Sequence, residues 1–240
     1  MDIFVLGPAG SGKSLFVKNF FEYLISEGYK VRLVNLDPGV LNPNYKPDFD
    51  IRKIFTIESI MREKNLGPNG AILEAMDRLA KIGVPEFEGA DYVLFDTPGQ
   101  LEPFLFREAG RKIISKFKDR CCLFLGDLPA LKGNLLSFYL YALTAHYTLE
   151  TETIAVLNKI DLLDQKEMDE IKESIMNPVN LLTAKKPSSL REEMDMEILK
   201  ALMAFFPPKR VPFISAKRKV GFDEVLTLLY EVKCTCGDLM

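Results

Sequence analysis

The chain has 240 residues and a formal charge of −3, with 31 basic and 34 acidic side chains mixed along its length. That length suits one α/β domain with insertions and is enough to bury a full core. The charge balance excludes the basic footprint of a nucleic-acid or anionic-membrane binder, and no apolar run approaches membrane-spanning length. Without the pattern of a secretory leader either, a soluble, cytoplasmic protein is expected.

The first short apolar run, Ile3 to Leu6, reads as a strand and leads into Gly7-Pro8-Ala9-Gly10-Ser11-Gly12-Lys13-Ser14. This is the pattern G-x-x-x-x-G-K-[ST] between a strand and an amphipathic helix, a phosphate-binding loop for a nucleoside triphosphate. Backbone N–H groups from Gly10 through Gly12 face phosphate oxygens, and the following helix points its partial positive end at the same anion. Lys13 is expected to bridge the β- and γ-phosphates, with the Ser14 hydroxyl on Mg²⁺. Phe16, Val17, Phe20, Phe21, Leu24 and Ile25 form the helix's apolar stripe, which Gly28 ends.

Val31 to Leu36 reads as the second strand, followed by a polar, proline-containing loop from Asp37 to Asp50. A helix near Thr56 to Lys64, the turn Gly67-Pro68-Asn69-Gly70 and a helix near Ala71 to Ile82 come next. The third strand, Tyr92 to Phe95, delivers Asp96-Thr97-Pro98-Gly99-Gln100. Asp96 there is expected to reach Mg²⁺ through the ion's coordinated water, and the Gly99 backbone N–H to sense the γ-phosphate, a Walker B and switch II pattern. Gln100 either orients the attacking water or caps the helix that begins near Glu102.

Cys121 to Leu125 and Thr153 to Leu157 read as two more strands, the second followed by Asn158-Lys159-Ile160-Asp161. A carboxylate with two acceptors matches the paired N–H donors on the Watson–Crick edge of guanine, which adenine lacks. Asp161 is the expected carrier of guanine selectivity, with Asn158 tying loops together and the Lys159 stem over the base plane. A helical segment at about 164–208 follows, with a capping box at Ser189 and Glu192. Its stripe of Met194, Ile198, Leu199, Leu202, Met203 and Phe206 is expected to pack on the parent domain. Pro212 to Ile214 reads as the last strand, and Ser215, Ala216 and Lys217 after it offer backbone N–H groups for guanine O6.

Strands alternating with helices imply a three-layer α/β fold of the P-loop NTPase type, with a mostly parallel central sheet. Every polar motif then falls at the carboxyl ends of the strands, where such sheets bind ligands. One domain over 1–240 is expected, with insertions at about 50–83 and about 164–208. Of the four cysteines, Cys121 and Cys122 sit in a strand, facing opposite ways. Cys234 and Cys236 lie near the C-terminus, and with His146 as the single histidine the donors fall short of an ordinary zinc site.

With Gly67-Pro68-Asn69 between the two switch loops, and with Gly7 to Ser14, Asn35-Leu36-Asp37-Pro38, Asp96 to Gln100, Asn158 to Asp161 and Ser215 to Lys217 in order, nearly the whole chain resembles the GPN-loop GTPases. These are dimeric P-loop GTPases of archaea and eukaryotes, related to the signal-recognition class. The resemblance implies GTP hydrolysis to GDP in a homodimer or paralogue heterodimer, in which the Gly67-Pro68-Asn69 loop enters the partner's active site. Asn69 then acts in trans, and Asp37 is the switch I carboxylate that places Mg²⁺ or the attacking water beside Ser14 and Asp96. Assembly of a client protein complex is the implied cellular task. Leu15 departs from the second Ser or Thr common after this loop, leaving its backbone N–H as the contact to the α-phosphate. The rival readings are a P-loop kinase, which has no use for Asn158 to Asp161, and a metal-delivery GTPase holding cargo on Cys234 and Cys236.

Overall fold

The computed structural model describes residues 1–41, 43–131, 135–176, 189–205 and 210–237. Six strands, β1 (Asp2–Leu6), β2 (Val31–Asn35), β3 (Phe49–Asp50), β4 (Tyr92–Asp96), β5 (Arg120–Asp127) and β6 (Thr153–Asn158), form one sheet in the order β3-β2-β4-β1-β5-β6. Each neighbouring pair is parallel. All the loops leaving these strands therefore emerge on one edge.

Alternate residues of each strand feed two separate cores, as strand periodicity requires. Phe4, Leu6, Val34, Phe95, Cys122 and Phe124 face one side, where the Phe4 and Phe95 rings stack with centroids 4.2 Å apart. Ile3, Val5, Leu33, Leu94, Leu123 and Leu125 face the other. That second face is covered by α1 (Lys13–Ser26) and α9 (Phe222–Gly237), where Phe222 meets the edges of Phe16 and Phe20 at 5.5 and 5.4 Å. Phe16, Val17, Phe20 and Leu24 are buried while Ile25 is exposed. Burying each such side chain contributes about 1.5–3 kcal/mol, so α1 is fixed to the sheet well beyond its own helix propensity.

The first face is covered by α2 (Ile57–Lys64), α3 (Pro68–Ile82), α4 (Glu102–Leu105), α5 (Glu108–Ile114) and α6 (Leu135–Leu149). Thr56 caps α2 through a reciprocal pair with Ser59. Helix α3 begins three residues earlier than the turn chemistry of Gly67-Pro68-Asn69-Gly70 suggests, with Gly67 as N-cap and Pro68 in the first turn. Proline fits there because its φ is already helical and its missing N–H belongs to a position with no intrahelical partner.

Two strand readings change. The pair Phe49–Asp50 adds an edge strand beside β2 that the polar loop concealed. Pro212 to Ile214 makes an isolated bridge instead of a strand, with Leu157 N–H donating to Pro212 O at 2.9 Å and Ile214 N–H to Leu157 O at 2.8 Å. Helix α7 (Gln165–Met176) and α8 (Leu190–Phe205) lie in the 164–208 region. Leu202 is buried and Leu199 partly so, whereas Met194 and Ile198 are exposed, so the stripe packs along one part of its width. Phe206 and the Met203 side chain lie outside the described residues. Among the described residues no helix is long and apolar enough to cross a membrane.

Candidate nucleotide-binding site

The phosphate loop is shaped by what glycine permits. A Cβ on Gly7 would lie 2.4 Å from Leu125 O, and Gly12, at φ +93°, would place one 2.6 Å from Asn158 Nδ2. Side chains at either position would push the loop off β5 and the 158–161 segment. Gly12 is the N-cap of α1, so the N–H groups of the first turn are presented at the loop itself.

Lys13 is buried, and its ammonium donates to Gly7 O at 2.8 Å, Pro8 O at 3.0 Å and Gly99 O at 3.4 Å. Burial holds its pKa below the ordinary lysine value, with Asp96 and Asp37 opposing that shift. Among the described residues the buried Ser11 hydroxyl has no hydrogen-bond partner. Leu15 exposes its side chain on the first turn of α1.

Asp96, at the end of β4, is almost fully buried. Its Oδ2 accepts a hydrogen bond from the Tyr45 hydroxyl at 2.6 Å, and among the described residues Oδ1 is buried with no hydrogen bond of its own, the Ser14 hydroxyl lying beside the carboxylate. Burial pushes this carboxyl up to about 6, against the pull of the Tyr45 and Ser14 hydroxyls and of Lys13. Thr97 closes the strand end by donating to Val5 O at 2.7 Å.

Asp37 joins the loops after β2 and β4. Its Oδ1 accepts from Gly39 N–H at 2.8 Å and its Oδ2 from Gly99 N–H at 3.0 Å. The amide expected to sense the γ-phosphate is thus held by Asp37. Gln100 is exposed. It does not cap α4, whose N-cap is Leu101 without a side-chain bond. Asp37, Gly99 and Gln100 share a cavity of about 320 Å³ with Ile57 of α2 and Ile72 and Met76 of α3. Asn69 is exposed on the first turn of α3. Arg78 fixes α3 to α2 through Glu63 at 2.7 Å.

On the base side, Asn158 is a buried hub. Its Nδ2 donates to Ser11 O at 2.8 Å, while Oδ1 accepts from Lys159 N–H at 2.8 Å and Ala216 N–H at 2.9 Å. Asn158 therefore connects the phosphate loop, its own loop and the 215–217 turn. Asp161 Oδ1 accepts from the Ser215 hydroxyl at 2.5 Å, which fixes the carboxylate's orientation. Ser215 N–H donates to Val220 O at 3.1 Å. With Ala216 N–H also taken, the N–H groups this turn has for a base narrow to that of Lys217.

Lys159, at φ +71°, pairs through its ammonium with Asp127 at the end of β5. Sequence reasoning passed over Asp127, Tyr45 and Asn19, whose Nδ2 donates to Ala216 O at 2.7 Å. A polar residue ending an apolar strand is a usable signal for Asp127. Asn19 is a polar residue on the apolar face of α1, but nothing local marks Tyr45.

A family model described as "Conserved hypothetical ATP binding protein" matches residues 5–235. The GPN-loop GTPase PAB0955 of Pyrococcus abyssi is 39% identical over 251 aligned positions, covering the whole of both chains. Its crystal structure in the apo form matches with a TM-score of 0.87 at 37% identity over 98% of each chain. The chain belongs to the GPN-loop GTPase family. GPN-loop GTPase 1 of Schizosaccharomyces pombe is 32% identical across 68% of this chain and 48% of its own. The GPN-loop GTPase membership supports GTP binding and hydrolysis in general, and the three-layer, parallel-sheet architecture is that of the family structure.

Among the described residues, no cluster of three or more His, Cys, Asp or Glu is placed to hold a metal ion. Cys234 is exposed and the Cys236 side chain lies outside the described residues. His146 lines a separate cavity with Lys118 and Arg120. Arg120 begins β5, so that cavity lies at the opposite edge of the sheet from the phosphate loop.

Proposed function

We propose that this GPN-loop GTPase is a Mg²⁺-dependent homodimeric switch, in which Gly67-Pro68-Asn69 of each subunit completes the other's active site during assembly of a client protein complex. The observation that carries the nucleotide part is the set of bonds at Asn158, which lock the phosphate loop and both base loops into one rigid surface. The dimeric and client parts rest on the family, with the exposed position of Asn69 in support.

In this reading the N–H groups of Gly10, Ser11, Gly12, Lys13, Ser14 and Leu15 bind phosphate oxygens. Lys13 exchanges its loop carbonyls for the β- and γ-phosphates. Asp161 pairs with the guanine N1–H and amine, the Lys159 stem covers the ring, and the 215–217 turn closes the pocket around O6. Residue Gln100 orients the attacking water, and Asn69 donates to charge developing in the partner's transition state.

The residues fit Mg²⁺ because that ion needs only one or two protein oxygens besides substrate phosphates. Asp96 has a buried oxygen with no hydrogen bond of its own among the described residues and the Ser14 hydroxyl beside the carboxylate. Ser14 and Asp96 would hold the ion, and Asp37 would join them by releasing Gly39 or Gly99. When bound, it neutralises charge on the β- and γ-phosphates. The protein's own part is to position both loops and exclude water between subunits.

The matching family model's description names ATP, so base choice is the decisive test. Competitive binding with GDP and ADP is expected to favour GDP strongly through Asp161. Comparable affinities would overturn the guanine-selective reading, and stronger ADP binding would favour the adenine one. Light scattering with a non-hydrolysable GTP analogue is expected to give a dimer.

A further inference from the structure

Tyr45 lies in a stretch with Pro43, Asn44, Lys46 and Pro47, yet its ring packs against the core on the α1 face of the sheet. Its hydroxyl donates to Asp96 Oδ2 at 2.6 Å. We infer that Tyr45 is a positioning residue for the cation site, orienting the Asp96 carboxylate so that Oδ1 is the oxygen offered to metal. The inference rests on the assignment of Ser14 and Asp96 to Mg²⁺ made above.

Three observations support it. The carboxylate plane of an aspartate turns about a broad sp³–sp² torsion, so burial alone does not fix it. A hydrogen bond of good geometry does, and on this carboxylate it is the Tyr45 phenol on Oδ2, with the Ser14 hydroxyl beside it. With Oδ2 held by the phenol, Oδ1 is buried and has no hydrogen bond of its own among the described residues, only the Ser14 hydroxyl beside the carboxylate. That is costly unless a cation completes its shell.

The loop carrying Tyr45 is also anchored on both sides. Behind it, Asp48 accepts from Leu33 N–H at 2.9 Å and from Arg32 at 2.9 Å, and its own N–H donates to Leu33 O at 2.8 Å. Ahead of it, Arg52 donates to Val40 O and Leu41 O at 3.1 and 2.9 Å while paired with Asp50. Asp50 in turn accepts from Asn35, at the end of β2, at 2.9 Å. The phenol is thereby delivered to Asp96 from a fixed framework. Outer hydrogen bonds of this kind orient a ligating carboxylate, and their loss typically weakens metal binding by roughly 10–100-fold.

The test uses Mn²⁺ as probe, followed by electron paramagnetic resonance with the full-length protein saturated with GDP. Tyr45→Phe keeps the ring and its packing while removing the donor, and thermal melting checks that the variant is folded. Mn²⁺ affinity is expected to fall roughly tenfold or more, with GDP affinity in EDTA within about twofold of wild type because the lost hydroxyl bonds Asp96 on the metal side while the ring packing is kept. Unchanged or tighter Mn²⁺ binding, or an equal loss of GDP affinity in EDTA, would overturn the inference. Asp96→Asn separates the two levels. If that variant loses Mn²⁺ and Tyr45→Phe does not, the role of Tyr45 falls alone; if it keeps Mn²⁺, the metal assignment falls with it.

Discussion

Asn158 and Gly12 are in such close contact that a methyl group on Gly12 would lie 2.6 Å from the Asn158 amide nitrogen. The 158–161 loop and the phosphate loop are therefore built as one piece, and neither can be altered independently.

Asn158→Ala would strand Ser11 O, Lys159 N–H and Ala216 N–H, which now meet the carboxamide. Leaving buried polar groups unpaired costs about 1–3 kcal/mol each where water cannot replace the partner. A loss of roughly 2–4 kcal/mol is expected, since some of these groups regain water. Urea denaturation and GDP titration should show lower stability and weaker binding together. Normal stability with weak binding alone would instead mean that Asn158 acts chiefly on the base.

The Asp161–Ser215 bond makes a separate prediction. Ser215→Ala frees the carboxylate to rotate and removes a charge-assisted hydrogen bond, so GDP affinity should fall about tenfold with little change in ADP affinity. Asp161→Asn should move preference towards xanthosine diphosphate, because the amide N–H can face the xanthine carbonyl. Competition among the three nucleotides checks both. A Ser215→Ala variant that loses GDP and ADP equally would show that the hydroxyl supports the loop and does not serve base choice.

What was readable in the sequence follows from how local each signal is. Strands β1, β2, β4, β5 and β6 are mostly apolar runs because they are largely buried on both faces, with exposed Arg32 the exception within β2, and the loops after them carry their chemistry in consecutive residues. Phe49–Asp50 was hidden because two residues carry no period, and its pairing with Val34 and Asn35 is tertiary. Pro212 to Ile214 looks like a strand by composition, but it pairs only around Leu157. Tyr45 could not be read because its significance depends on Asp96, 51 residues away. The same limit hid the Asp37 contact to Gly99, although each residue was legible as part of its own motif.

Asp2 offers a pH test away from the site. Burial raises its carboxyl to about 6 from 3.8, with Asp119 and Glu86 adding to the rise and the chain's N-terminal ammonium opposing it. Because the folded value lies above the unfolded one, the folded state penalises the charged form, and stability falls as pH rises from about 4 to about 6. Asp2→Asn removes that penalty. At pH 7 the variant should be more stable by about 1–2 kcal/mol, discounted from the full shift because the group is partly exposed. The gain should shrink as pH falls through 6 and vanish near 4. Thermal melts across this range check it, and a gain independent of pH would refute the electrostatic cause.

The last prediction concerns action between subunits, for which the exposed Asn69 on the first turn of α3 is available. Asn69→Ala should retain GDP affinity and dimerisation but lose roughly 10²–10³ in kcat, the usual effect of removing a preorganised donor to transition-state charge. Lys13→Ala should abolish hydrolysis in its own subunit while leaving circular dichroism close to wild type. In a mixed dimer, the intact phosphate loop of the Asn69→Ala subunit faces the intact Asn69 of the Lys13→Ala subunit. One of two sites is rebuilt, and with random pairing activity should return to about a quarter of wild type. Kinetics on mixed samples, with heterodimers confirmed by differential tagging, reads this directly. If heterodimers form and activity stays at the level of the two parents, Asn69 works within its own subunit or takes no part in the reaction.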